Sequence, residues 1–276
     1  ASSSVYSAYW LMKLFQAAGL PDGVINLVVG SGSAIGNPVL ADSHLAGIHF
    51  TGSTGVFNDM WKTIGANMSH YRGYPRIVGE TGGKDFIFAH PSADPTALVT
   101  AIVRGAYEYQ GQKCSAASRA YIPSNIWPKI KDELIAQIDA IKMGDVCDFS
   151  NFMGAVIDAG SFKTQKAAID AAKASSDAKI LAGGTYDDSK GYFVRPTLIE
   201  ALNPKYQTMC EELFGPVLTV HVYDEHHWKD MLSTLDHTSP YALTGAVFAQ
   251  DRYAIQFMLE ALRYSAGNFY INDKPT

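Results

Sequence analysis

Short apolar runs of strand-forming residues alternate along this chain with segments of helical periodicity, and that alternation leaves few folds open. Ile25–Val29, Ala46–Phe50 and the run from Arg76 to Glu80 read as strands, and between them lie helix-like stretches, one of them from Gly55 to Asn67. The opening segment ASSSVYSAYWLMKLFQAAG joins a Ser-rich cap to apolar positions at helical spacing and stops at Gly19. Strands and helices taken in turn imply βαβ units, a largely parallel sheet and ligands at the carboxyl ends of the strands. The pattern runs on. Asp85–Phe88, Ala120–Ile122, Lys179–Ala182, Tyr192–Ile199, Val217–Tyr223, Ala242–Ala249 and Ala266–Ile271 are strand candidates; Ala93–Tyr109, Asn125–Ile141 and Phe162–Ala174 are helix candidates. With 276 residues and no internal repeat or low-complexity linker, the chain is expected to form two α/β domains, 1–82 and 83–276, with the change near Thr81 to Asp85.

Bulk properties exclude several classes of function. Lys and Arg number 22 against 27 Asp and Glu, and the net charge of −5 comes with no basic block for nucleic acid. No apolar run approaches a membrane span, and no basic region leads into a hydrophobic one at the start. Cys114, Cys147 and Cys210 are too widely spaced for a disulfide framework or a zinc pattern, which points to a reducing compartment, with Cys147 and Cys210 structural or incidental. His226, His227 and His237 gather no Cys or carboxylate at metal spacing and are read as solvated, so no metal is expected.

Chemistry concentrates in a few turns. In AYEYQGQKCSAAS, Cys114 follows a Gly-Gln-Lys step at the end of a helix-like run and precedes small residues. Either this is a small core residue or an accessible thiol whose thiolate is favoured by Lys113 and by nearby N–H groups. In ETGGKD, Glu80 ends an apolar strand, and Gly82 and Gly83 allow close backbone approach by a ligand; a solvated turn is the plainer reading. GSGSAIG, Gly30 to Gly36, imitates a dinucleotide fingerprint, but its last gap is one residue too long and the next strand lacks a ribose-binding acid at its end. It is therefore placed near a nucleotide, not as its phosphate cradle. Thr51-Gly52-Ser53-Thr54 after a strand reads as an N-cap whose N–H groups and dipole can hold a phosphate. EELFGPV sets a carboxylate and an aromatic ring on a tight turn fixed by Pro216.

FTGST (Phe50 to Thr54), ETGGK (Glu80 to Lys84), GQKCSA (Gly111 to Ala116) and EELFGPV (Glu211 to Val217) stand in the order found in the aldehyde dehydrogenase superfamily, which this sequence resembles over nearly its whole length. RGAYEYQGQKCSAASR, YALTGAVFAQDR and AGNFYINDK look like the branch that oxidises glutamate semialdehyde, derived from delta-1-pyrroline-5-carboxylate, to glutamate in proline catabolism. The resemblance implies part of a Rossmann-type cofactor domain at 1–82 followed by a thiol-bearing catalytic α/β domain at 83–276. It implies NAD as cofactor, a small-molecule aldehyde substrate, self-assembly of the full-length protein and a mitochondrial matrix location. Cys114 would be the nucleophile and Glu80 the general base. Gly52, Ser53, Thr54, Gly55 and Val56 would contact the cofactor's phosphates and nicotinamide side, while Glu212 binds the nicotinamide ribose, Phe214 packs beside it and Glu211 stays at the surface.

The implied mechanism has an unmodified thiol, pKa about 8.5, assisted to thiolate by positive charge and N–H groups. It adds to the aldehyde, the alkoxide is held in part by the Cys114 N–H and expels hydride to NAD, and water activated by Glu80 hydrolyses the resulting thioester. Thr81 replaces a Leu common in the superfamily, at a position expected to act through its backbone. The chain opens on a helix and closes at Asn272–Thr276, where related enzymes continue, so it reads as a fragment. The missing parts would supply a Lys for the adenosine ribose, an Asn of the oxyanion hole and a glycine-rich loop for the substrate, and the fragment is expected not to turn over alone. Another aldehyde substrate, or a truncated non-catalytic interaction module, are the alternatives.

Overall fold

The computed structural model describes residues 4–275; Ser2 and Ser3 of the expected cap, and Thr276, lie outside the described residues. The chain divides into two compact units, the first ending at Thr81 and the second starting at Gly82.

In the first unit, α1 (Val5–Ala17) and α2 (Gly32–Ala41) precede β1 (Gly47–Thr51), α3 (Thr54–Ala66) and β2 (Arg76–Glu80). β1 and β2 pair in parallel from Gly47 opposite Arg76 to Thr51 opposite Glu80. Leu40, Ile64 and Tyr71 form a small core, closed by the Tyr71 hydroxyl donating to the Leu40 carbonyl at 2.6 Å. Two expectations fail here. Residues 25–29 form no strand: among the described residues β1 and β2 pair with each other, and 25–29 pair with neither. GSGSAIG is not a loop but the start of α2, because the Ser31 hydroxyl accepts the Ala34 N–H at 3.3 Å and caps the helix.

The second unit contains β3 (Asp85–Ala89), α4 (Pro95–Tyr107), β4 (Ala117–Pro123), α5 (Trp127–Asp139), α6 (Ala159–Ala174), β5 (Ala178–Ala182), β6 (Tyr186–Asp187), β7 (Phe193–Val194), β8 (Thr197–Ala201), α7 (Gln207–Cys210), β9 (Val217–Tyr223), α8 (Trp228–Asp236), β10 (Thr244–Phe248), α9 (Arg252–Ala261) and β11 (Asn268–Ile271). Its sheet has the order β11-β10-β3-β4-β9-β8-β5, parallel except where β5 pairs with β8 at one edge. Side chains alternate across it: Ile87 joins Leu98 and Ile102 of α4 and Ile130 and Leu134 of α5, while Phe86 and Phe88 join Leu232 and Leu235 of α8 and Met258 of α9. Both faces of the sheet are covered by helices, so β3 is buried throughout and reads as a continuous apolar run after Asp85. α4 starts at an Asp94 cap, whose carboxylate accepts the Ala97 N–H at 2.8 Å, with Pro95 in the first turn.

Candidate active site

In the first unit, the carboxyl ends of β1 and β2 gather every residue expected there. Glu80 closes β2 opposite Thr51, and its carbonyl accepts the Gly52 N–H at 3.2 Å. The chain then turns into α3, where the Ser53 hydroxyl accepts the Val56 N–H at 3.4 Å as the N-cap. Gly52, Ser53, Gly55 and Val56 are exposed, Thr54 is half-buried, and no atom would contact a β-carbon at Gly55. An exposed, capped helix start with a side-chain-free position fits a phosphate-bearing ligand. The Glu80 side chain is solvent-exposed.

In the second unit the expected residues lie at the opposite strand ends. The turns carrying Gly83, Cys114 and Glu212 enter β3, β4 and β9, which are parallel neighbours, so these residues collect at amino ends and not at the carboxyl ends that the strand-helix alternation suggested.

The half-buried Cys114 owes its turn to an unusual backbone. After α4 the residues Tyr109, Gln110 and Gly111 have φ of 54°, 58° and 63°, a left-handed turn that ends the helix sooner than its apolar pattern suggests. For the two non-glycine residues this costs on the order of 1–2 kcal/mol each, offset by side-chain bonds to the chain beyond. Gln110 Nε2 donates to the Ala155 carbonyl at 3.1 Å, and Gln112 Oε1 accepts the Ile157 N–H at 2.8 Å. Past the thiol, the Ala116 N–H returns to the Lys113 carbonyl at 3.0 Å and the Thr244 hydroxyl donates to the Ser115 carbonyl at 3.4 Å.

Lys113 is engaged elsewhere than the sequence suggested. Its ammonium donates to Glu108 Oε2 at 3.2 Å, and the same carboxylate meets Arg104 and, at 3.5 Å, Lys274. Burial alone would push Glu108 up, but the Lys113 hydrogen bond and the charges of Lys274 and Arg104 hold its carboxyl below the ordinary range. The positive charge expected for the thiol is thus compensated by a carboxylate.

Glu212 is half-buried, and its Oε1 accepts the Gly83 N–H at 2.9 Å. Phe214 has φ 53° and remains 44% exposed, leaving its ring open to a ligand. Glu211 is exposed and accepts Gln207 Nε2 at 2.9 Å. The turn is held by Gln165 of α6, whose fully buried amide donates to the Leu213 carbonyl at 2.6 Å. Gly111 locks the Cys114 turn against this one: a β-carbon there would lie 2.5 Å from the Gly215 carbonyl oxygen. The cleft between these turns, about 10 Å³, is lined by Gly83, Lys113, Ala116, Glu212 and Phe214 among others. Gln110, Gln112 and Gln165 went unrecognised; their one signal was an amide amid an apolar helix face or beside a glycine.

Lys84 and Asp85 follow directly and are buried with Arg119. Burial, aided by the Arg119 charge, pushes Lys84 down to about 7, and its Nζ makes no hydrogen bond. Burial pushes Asp85 up to about 7, although its Oδ1 accepts the Thr244 N–H at 2.7 Å. Arg119 Nε donates to the Lys84 carbonyl at 2.8 Å and pins the start of β3.

Other features compete weakly. A cavity of about 670 Å³, lined by Thr100, Arg104, Gln250 and Asn272 among others, holds none of the expected site residues. Among the described residues no group of His, Cys, Asp and Glu could hold a metal ion, and no helix is long and apolar enough to cross a membrane. His226, His227 and His237 are exposed, Cys147 is exposed, and Cys210 is half-buried near the Lys205 carbonyl.

The aldehyde dehydrogenase family model matches residues 1–276. The mitochondrial delta-1-pyrroline-5-carboxylate dehydrogenase of Dictyostelium discoideum is 52% identical over 100% of this chain and 50% of its own length, and the human enzyme of that name is 45% identical over 99% and 49%. The NAD-bound crystal structure of the delta-pyrroline-5-carboxylate dehydrogenase from Mycobacterium tuberculosis superposes with a TM-score of 0.92 at 52% identity, covering 98% of this chain and 49% of that one. The chain spans about half the length of the relatives it matches.

Proposed function

Because the chain belongs to the aldehyde dehydrogenase family, we propose that the protein carrying it oxidises L-glutamate γ-semialdehyde to L-glutamate with NAD. The observation that supports this most is the meeting, at Gly83, of the Cys114 main chain and the Glu212 carboxylate, which joins three separate sequence motifs in one place. The relatives named above carry the same activity in their names, two of them with a mitochondrial location, and we extend both to this protein, together with self-assembly. The first unit is taken as cofactor-binding and the second as catalytic.

In this reading Cys114 is the nucleophile. Its sulfur adds to the aldehyde carbon, the carbonyl oxygen becomes an alkoxide, and the Cys114 N–H is one donor to that oxygen. The left-handed turn at 109–111 fixes the direction of the following N–H groups in advance. NAD, when bound, accepts the hydride that leaves the former aldehyde carbon. The thioester left on Cys114 is then attacked by water, from which the Glu80 carboxylate takes a proton, and glutamate departs as the thiolate is regenerated. Gly52, Ser53, Thr54, Gly55 and Val56 would hold the cofactor's phosphates and nicotinamide side. Glu212 would accept from the ribose hydroxyls through the oxygen not engaged by Gly83, with Phe214 beside that ribose.

The test is NAD-dependent oxidation of glutamate semialdehyde by the protein carrying this chain, beside its Cys114→Ala variant. Activity in the first, reduced at least a thousandfold in the second, is the expected result. Equal turnover of unrelated aldehydes would replace the substrate assignment. Unchanged activity in Cys114→Ala would remove the nucleophile.

A further inference from the structure

The two glycines of ETGGK were expected to admit a ligand; in the structure they admit parts of the protein itself. The Gly83 N–H donates to Glu212 Oε1 at 2.9 Å. A β-carbon at Gly82 would stand 2.5 Å from Glu212 Oε2 and 3.1 Å from the carboxyl carbon. On its other side, a β-carbon at Gly83 would stand 2.2 Å from the Cys114 carbonyl oxygen. Gly83 is buried, and the next residue places a buried ammonium whose charge attracts the same carboxylate.

We propose that the Gly82–Gly83 step is a seat for the Glu212 carboxylate, a positioning element that orients it for the cofactor ribose; this rests on the reading of Glu212 as a ribose ligand. Glutamate has three rotatable side-chain bonds, and a carboxylate left to sample them would bind two hydroxyls weakly. A charge-assisted N–H bond to one oxygen selects a single orientation and leaves the second oxygen's acceptor sites for the ribose. The absence of side chains at both positions is what lets the carboxylate come so close. The two glycines differ in what they protect. An added carbon at Gly82 meets the end of a flexible side chain, which can swing away, so the damage falls on Glu212. At Gly83 it meets main chain, which cannot yield cheaply, so the damage extends to the Cys114 turn.

The experiment has two arms on the protein carrying this chain. In the first, hydrogen exchange at the Gly83 amide is compared in wild type and Glu212→Ala; acceleration of about tenfold or more is expected on loss of the acceptor. This arm needs neither cofactor nor a glycine variant. In the second, NAD binding is titrated by protein fluorescence in Gly82→Ala, Glu212→Ala and the double variant. Gly82→Ala is expected to raise the NAD Kd about tenfold, and the double variant to bind no worse than Glu212→Ala alone. The alkylation rate of Cys114 by iodoacetamide should stay at the wild-type value in Gly82→Ala and change in Gly83→Ala. A Gly83 amide indifferent to Glu212→Ala, or additive losses in the double variant, would overturn the seat. A Gly83 amide that responds while Glu212→Ala binds NAD normally would overturn the ribose role instead.

Discussion

Phe214 shows how a single residue can serve two masters, its backbone and its ring. Its φ of 53° is left-handed, where a side chain costs about 1–2 kcal/mol, yet the ring is 44% exposed and so gains only part of the benefit of burial. Phe214→Gly removes both the backbone cost and the ring, while raising the entropy lost on folding by about 0.5–1 kcal/mol. Urea unfolding should therefore place it within about 1 kcal/mol of wild type, whereas NAD affinity falls if the ring packs on the cofactor. Phe214→Val makes the opposite trade. It keeps an apolar group, but a β-branched residue is poorly accommodated in this region, and a loss of about 1 kcal/mol or more in stability is expected. Equal stability of all three proteins would show that the turn is not strained. The same division between backbone and side chain explains why Phe214, Gly111 and Cys114 could be singled out from sequence but not their conformations. Motif residues carry their identity openly, whereas the left-handed turn at Tyr109 and Gln110 uses residues that ordinarily avoid it, and depends on carbonyl and N–H partners at Ala155 and Ile157, far along the chain.

At the scale of elements, legibility followed burial. The bounds of β9, Val217–Tyr223, are legible in the sequence because the strand is buried almost throughout and its apolar run has no competing reading. Tyr192–Ile199 has the sequence of one strand but forms two short ones, β7 and β8, separated by Arg195-Pro196, since proline removes a ladder donor. α9 gives no clear signal in the sequence because exposed residues such as Tyr253 blur its helical period. β9 also carries a buried titratable group invisible to pattern reading. His221 Nδ1 lies 3.0 Å from the Ala201 carbonyl and must donate to it, and burial holds the ring below its ordinary pKa against the pull of that bond. The unfolded ring takes up its proton near pH 6.5, the folded one only at lower pH. Below about pH 6.5 the unfolded state therefore holds more protons, so stability falls as pH drops through that value and levels off below the folded pKa. Stability measured by urea at pH 7.5 and 5.5 should fall less in His221→Gln, whose amide can still donate to Ala201. A remaining slope is expected from His90, which burial lowers in the same direction, and from Lys84 and Asp85, which burial brings to about 7 and of which Asp85 acts in the opposite sense. An identical pH dependence in both proteins would show that His221 takes up its proton at the same pH folded and unfolded.

Over the whole chain, the two units differ in how much apolar surface each encloses, and stability should differ accordingly. The second buries both faces of a seven-stranded sheet, with Phe86, Ile87, Phe88, Ile122, Val220 and Leu235 fully enclosed. The first encloses little: α1 has no buried residue, and Ile25, Leu27, Val28 and Val29 are exposed in a segment without strand pairing. Local stability scales with such enclosure, from near zero at exposed unpaired backbone to the global value in buried strands. In this chain by itself, amides of residues 25–29 should therefore exchange within seconds, at close to the rate of an unstructured chain, while those of β3, β4 and β9 persist for hours. The tryptophans provide an independent reading. Trp10 and Trp61 are 55% and 53% exposed and report the first unit, whereas Trp127, 6% exposed, and the half-buried Trp228 report the second. With Trp127 and Trp228 replaced by Phe in one protein and Trp10 and Trp61 in another, the first unit should lose its signal at lower urea than the second. A single coincident transition, with residues 25–29 protected as well as β4, would mean that the apolar segment is covered in solution.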